Sequence, residues 1–350
     1  MSALLLSVIA TAAAAGAGPT AKLTVGTGEP VNPYLFGYCA EAYVGITLNK
    51  LFNDTAGIAA AKALNAQVLR YPGGTLSNTW NPMSGQYVEP SPFPTGYPDG
   101  YDKWQTWGKA INADYPSGTF TASQWLAPGN LGSVTKRTLW DLNVYSFNTT
   151  QTCNEIAYIG SLPGQQEPGV VLELGNELYI GNQGLPRFPS GESYAEQMVE
   201  VVACARKHMP KAIVAAVGAA GKWNQGLRKN AHLFDAISWH AYEPHGSQVN
   251  PSGRQGGHNH FSNLTDRVSF IAGYGRAVSQ QAAAQVKADV GVAKPLVHSE
   301  FGYGLDQPGH CVLDELLNGA LHGVFHVSRI IEAINTPNTF AAITLESFVG

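Results

Sequence analysis

Eight short apolar runs, each separated from the next by room for a helix, constrain this chain more than any other feature. They are LFGYCAE (35–41), AQVLRYP (66–72), RTLWDLNV (137–144), VVLELGNE (170–177), AIVAAVG (212–218), AISWHAY (236–242), PLVHSE (295–300) and FAAITLES (340–347). Several are nearly continuous apolar stretches, the form taken by parallel strands covered on both faces. Helical patterns fill the gaps. Ser193-Tyr-Ala-Glu196 reads as a capping box, followed at helical spacing by Tyr194, Met198, Val201, Val202, Ala205 and Met209, with Pro210 as the stop. Leu313, Leu316, Leu317, Ala320, Leu321, Val324 and Phe325 mark a second helix. Eight βα alternations predict an α/β fold of the (β/α)8 TIM-barrel type. A doubly wound open sheet is the competing arrangement, but no GxGxxG or GxxxxGK[ST] follows a strand.

The length of 350 residues suits one large barrel or two medium domains. A formal charge of −4 argues against an electrostatic nucleic-acid binder. Residues 1–17 read as a secretory signal peptide with small residues for cleavage near Ala15 or Ala17, although no Lys or Arg precedes the apolar core. Residues 18–34 form a lead-in with a short strand at Leu23-Thr24-Val25, and residues 35–350 form the barrel, ending after strand 8 with no eighth helix. No other run reaches the length of a membrane span, so none is expected after signal cleavage. Candidate N-glycosylation acceptors at Asn53, Asn148 and Asn263 agree with a secreted, extracellular protein. Cys39, Cys153, Cys204 and Cys311 contain no CxxC pair, so zinc is not indicated; disulfides with three connectivities, or four buried thiols, both remain open. Residues 73–135 form a long Gly/Pro/Trp-rich connection, the kind of loop that usually carries function.

In such a barrel the chemistry sits at the C-terminal ends of the strands. That rule selects Glu41, Asp141 with Asn143, Glu177, His240 with Tyr242, Glu300 and Glu346. A buried carboxylate is costly unless paired or functional. Along VVLELGNE, strand alternation puts Glu173 and Glu177 on one face, with Glu173 about 13 Å deeper at ~3.3 Å per residue. Glu173 is then a structural residue in the floor, and Arg70 is its expected partner. Glu177 and Glu300, 123 residues apart, end strands 4 and 7 and can face one pocket. Two such carboxyls suit glycoside hydrolysis, one protonating the leaving oxygen and the other attacking the anomeric carbon. His240 and Tyr242 are candidates for holding the nucleophile or sugar hydroxyls, and Trp80, Trp104 and Trp125 for stacking on sugar rings. His240, His245, His258 and His260 follow no metal-ligand spacing, so neither a metal nor any other cofactor is expected.

GNE closing strand 4, WHAY closing strand 6 and HSEFGYG closing strand 7 resemble the clan A retaining glycoside hydrolases. VLRYPGGTLSNTW, LWDLN and LELGNE carry the resemblance further, towards the heparanase-like β-glucuronidases of glycoside hydrolase family 79, over residues 35–350. The resemblance implies Glu177 as acid/base and Glu300 as nucleophile. It implies Asn176 at the sugar 2-hydroxyl, with His240 and Tyr242 lining the subsite; Gly74, Asp141 and Asn143 are further candidates for binding substrate. Tyr303, in Tyr303-Gly304-Leu305, falls near the family's uronate-binding Tyr-Gly-Gly stretch but lacks its second glycine. The family also carries a β-sandwich after the barrel, absent or truncated here. RYPGG equally resembles the α-L-arabinofuranosidases of the same clan. The expected function is a secreted retaining glycosidase acting on a uronic-acid-containing or related glycan. An arabinofuranosidase and a non-catalytic carbohydrate-binding barrel are the alternatives.

Overall fold

Each of the eight expected strands forms: β1 (Phe36–Cys39), β2 (Val68–Tyr71), β3 (Arg137–Asp141), β4 (Val171–Glu173), β5 (Ile213–Val217), β6 (Ala236–Tyr242), β7 (Leu296–Gly302) and β8 (Ile343–Leu345). A computed structural model of the chain describes residues 36–40, 55–63, 65–89, 108–135, 137–181, 184, 187–242, 281–302 and 343–345. Every strand pairs in parallel with its neighbours in sequence, and β8 pairs back with β1, closing the barrel. The α/β barrel reading therefore holds. Residues 1–34, the helix expected from Leu313 and the residues after Leu345 lie outside the described residues.

The period-2 alternation of the strands separates two cores. Val68, Leu139, Val171, Ala215, Ala236 and Val297, one from each of β2 to β7, form an apolar plug inside the ring. Their chain neighbours Leu69, Trp140, Leu172, Val214, Ile237 and Leu296 face outwards and join the core shared with the helices. Two residues beyond five of the plug positions stand Arg70, Asp141, Glu173, Ser238 and Ser299, all buried. Polar groups thus form a layer directly above the plug, towards the C-terminal mouth. On β1 the plug is closed by glycine: a Cβ on Gly37 would lie 2.5 Å from the Val68 carbonyl oxygen.

Helix Gly191–His208 begins earlier than its sequence suggests. Its cap is Ser190, whose side chain accepts from the Ser193 amide. Ser193 is therefore itself the capped residue, and the box expected at Ser193–Glu196 lies inside the first turns. Helix Thr149–Ser161 has a true capping box between Asn148 and Gln151. The candidate glycosylation acceptor Asn148 is thus the helix cap and is exposed, whereas Asn53 and Asn263 lie outside the described residues.

A disulfide between Cys153 and Cys204 ties these two helices together. Cys39 is buried and takes no part in this bond, and Cys311 lies outside the described residues. The bond closes a loop of 51 residues. Losing it by reduction, or by Cys153→Ser with Cys204→Ser, is expected to cost about 2–4 kcal/mol. The readout is thermal unfolding with and without reductant; a Tm that reductant leaves unchanged would contradict the bond.

Within the long 73–135 connection, Trp80 and Trp125 do not line a groove. Both are fully buried. Trp125 stacks on Tyr71 at 4.1 Å between centroids, and Trp80 meets the same ring edge-on at 5.2 Å. They anchor the connection to the outside of β2, which removes them as sugar platforms. Trp104 lies outside the described residues. Among the described residues, no helix is long and apolar enough to cross a membrane.

Candidate active site

Arg70 organises the floor of the mouth. Val68 points into the plug, so Arg70, two residues on, points the same way and is wholly buried. A guanidinium has five N–H donors, and five acceptors surround this one. Nε donates to Glu173 Oε2 at 2.6 Å, and Nη1 to Glu300 Oε1 at 2.5 Å and to Cys39 Sγ at 3.7 Å. Nη2 donates to Asp141 Oδ2 at 2.7 Å and to Asn176 Oδ1 at 2.9 Å. Burial acts to neutralise Arg70, but Glu173, Asp141 and Glu300 outweigh it and raise its pKa well above the usual value. Burial likewise pushes Glu173 upwards, but Arg70, then His240 and Ser238, overcome it and hold its pKa at about 2. For Asp141 burial wins: its pKa is raised well above the ordinary carboxylate range despite Arg70 and the Ser77 hydroxyl.

The stretch after β4 does not continue as a strand. Gly175 has φ 95° and Glu177 has φ 45°, so the chain leaves the extended region right after Glu173. A left-handed glutamate is uncommon, and this one is held by its surroundings. Asn78, in the connection after β2, pins the turn at both ends of one residue: its Oδ1 accepts from the Asn176 amide at 2.9 Å and its Nδ2 donates to the Asn176 carbonyl at 2.8 Å. Glu177 is consequently not about 13 Å above Glu173, as extended geometry would have it. Both carboxylates flank the same imidazole. His240 Nδ1 is 3.1 Å from Glu177 Oε1, and Nε2 is 3.5 Å from Glu173 Oε1.

His240 also approaches Glu300, with Nδ1 3.3 Å from Oε2. One side-chain atom each from Glu177, His240 and Glu300 fall within 4.8 Å of one another. Burial pulls the His240 pKa down; Glu300, Glu173 and Glu177 together outweigh it and raise it to about 10. Tyr179 adds a hydroxyl 3.5 Å from Glu177 Oε1, and its own pKa is raised, first by burial and then by Glu177.

The structure thus gathers Glu177, Glu300, His240, Asn176, Glu173 and Arg70 at one mouth. Asp141 and Asn143, expected at the sugar, are instead committed to the protein. Asp141 is buried against Arg70 and Ser77. Asn143 is buried and shapes the turn after β3, donating to the Trp80 carbonyl and accepting from the Ser146 amide. Gly74 is buried as well, with φ 67°, and its carbonyl accepts from Ser77 Oγ. The side chain of Tyr242, and Tyr303, His245, His258 and His260, lie outside the described residues. Asn78, Tyr179, Ser238 and Ser299 belong to the site but were not singled out by the sequence. The two serines carried a signal, since each stands two residues beyond an inward apolar position.

No family model matches the chain, and no curated protein matches its sequence. Solved structures do match its fold. The family 51 α-L-arabinofuranosidase AbfB from Bifidobacterium longum superposes with a TM-score of 0.56 at 19% identity, over 90% of this chain and 67% of its own. A thermostable GH51 α-L-arabinofuranosidase from Thermotoga petrophila gives 0.57 at 15% identity, over 91% and 65%. The GH family 44 endoglucanase Cel44A from Clostridium thermocellum gives 0.50 at 12% identity, over 91% and 73%. At these identities the likeness is one of fold, and the chain spans about two thirds of the length of the arabinofuranosidases.

Proposed function

We propose that the chain is a retaining glycoside hydrolase, with Glu300 as nucleophile and Glu177 as acid/base. The observation that carries this reading is the convergence of Glu177, His240 and Glu300 within 4.8 Å at the C-terminal ends of three strands. Retaining enzymes hold their two carboxyl groups about 5–5.5 Å apart, close enough for one to attack while the other protonates. Arg70 binds Glu300 through Oε1, orienting Oε2 towards the mouth for attack on the anomeric carbon. Glu177 protonates the departing oxygen, then takes a proton from the water that opens the glycosyl-enzyme. Matching folds among glycosidases support the reaction class.

Two sugars compete as substrate. The family 79 resemblance favours a β-glucuronide or related uronic-acid glycan. The family 51 structures favour an α-L-arabinofuranoside, and the RYPGG motif fits both. The signal-like N-terminus and the Cys153–Cys204 disulfide support action in an oxidising, extracellular compartment. A panel of aryl β-glucuronide, α-arabinofuranoside, β-glucoside and β-xyloside separates these readings. Turnover of one of the first two, lost in Glu177→Ala, is the expected result. Binding of glycans with no turnover across the panel would replace the enzyme with a carbohydrate-binding barrel.

A further inference from the structure

Along β7, Leu296 belongs to the helix-facing core and Val297 to the plug inside the ring. Continued alternation sends Ser299 inwards and Glu300 outwards, towards the helices. Both in fact point inwards. Ser299 Oγ donates to Glu173 Oε1 at 2.5 Å, while Glu300 Oε1 accepts from Arg70 Nη1 at 2.5 Å. The cause lies in the pairing with β6. Ser238 is opposite Val297 but His240 is opposite Glu300, so His298 and Ser299 together face Trp239 alone. One extra residue in β7 makes a bulge, the device that re-aims side chains beside functional sites.

We propose that Ser299 is a positioning residue whose hydroxyl ties the His240 ring to Glu173 and so fixes the ring between Glu177 and Glu300. This inference rests on the glycosidase reading for its effect on turnover, but not for its effect on the ring. Ser299 Oγ lies 3.0 Å from His240 Nε2. Ser299 Oγ has one proton, for Glu173 Oε1 or for Ser238 Oγ 2.6 Å away, and in either case a lone pair is left to accept from Nε2–H. Ser238 Oγ lies against the same Glu173 oxygen and 2.6 Å from Ser299 Oγ, completing the anchor from β6. With Nε2 fixed from below, Nδ1 is aimed upwards at Glu177 and Glu300. Among the described residues, the charged and titratable groups facing the ring are Glu173 and Glu177 from β4 and its turn, Glu300 from β7, and Tyr179 beyond Glu177. Without the Ser299 hydroxyl, the Nε2–H keeps only the longer 3.5 Å approach to Glu173 Oε1, and both the ring orientation and its hold on a second proton weaken.

The test uses Ser299→Ala and Ser299→Thr in the full chain, with two readouts. The first is the titration of the His240 ring followed by 15N NMR, assigned with His240→Gln. The midpoint is expected to fall by about one unit or more in Ser299→Ala, a tenfold change in proton affinity, and to recover in Ser299→Thr, which keeps the hydroxyl. The second is kinetics on the substrate found in the panel. Here kcat is expected to fall roughly 10–100-fold with KM little changed, the cost of a misaligned catalytic group. A lowered Tm in Ser299→Ala with the ring titration and kcat unmoved would overturn the proposal, since Ser299 would then only fill space. If no glycoside is turned over by the native chain, the glycosidase reading fails by itself, and the ring titration still decides whether Ser299 holds His240.

Discussion

Replacing Glu300 with glycine is expected to lower kcat by about 10⁴-fold or more, the scale seen when a covalent nucleophile is removed. The geometry explains why no neighbour can substitute. Glu173 is engaged by Arg70, Ser238 and Ser299. Asp141 is buried under the floor. Azide supplied to Glu300→Gly occupies the vacated space and attacks an activated aryl glycoside once, so the product is a glycosyl azide of inverted configuration. The matching variant Glu177→Ala gives the opposite signature. Its first step survives with activated leaving groups, and azide then intercepts the glycosyl-enzyme to give a retained product. NMR of the azide adducts reads both. A retained adduct from Glu300→Gly would reverse the two roles, and full activity in either variant would remove the pair from the mechanism.

Arg70→Met is expected to destabilise the protein by about 3–5 kcal/mol, the cost of leaving buried charges without their partner. Arg70 sits between Asp141, Glu173 and Glu300 at 2.5–2.7 Å, with none of its own side chain exposed. Arg70→Lys keeps the charge but is expected to fall well short of native stability, because three ammonium donors on a flexible stem cannot meet five acceptors in a plane. The acid limb should change too. Glu173 is held at about 2, below its unfolded value, so its stabilising contribution is full above the ordinary carboxylate pKa. That contribution is lost as pH falls from there towards 2. Without Arg70 the loss begins at higher pH. Unfolding by denaturant across pH 3–7 tests both points, and native stability in Arg70→Met throughout that range would refute the role given to Arg70.

Particular residues show where the sequence was sufficient. The inward set Arg70, Asp141 and Glu173 follows from period-2 counting off Val68, Leu139 and Val171, and the same count reaches Ser238 and Ser299. The strands themselves were legible because fully covered parallel strands have no polar face to confuse the pattern. Helix ends were less so: Ser193 reads as the cap, yet it is the Ser190 side chain that accepts from the Ser193 amide. Trp80 and Trp125 looked like sugar platforms because a tryptophan's composition signal is the same whether its ring faces a ligand or Tyr71. Asn143 ended a strand as a substrate residue would, yet its amide is used to build a turn.

The barrel, its strand order and the polar layer above the plug follow from local alternation, which is written residue by residue in the chain. The pairing of Glu177 with Glu300 does not follow from it. Glu177 reaches His240 through a left-handed turn held by Asn78, which grips Asn176 from 98 positions away. Glu300 reaches Arg70 through a one-residue slip between β6 and β7. Each breaks the alternation that makes strands readable, and each is held by contacts between distant segments, so the meeting of the two carboxylates is decided only when the barrel closes.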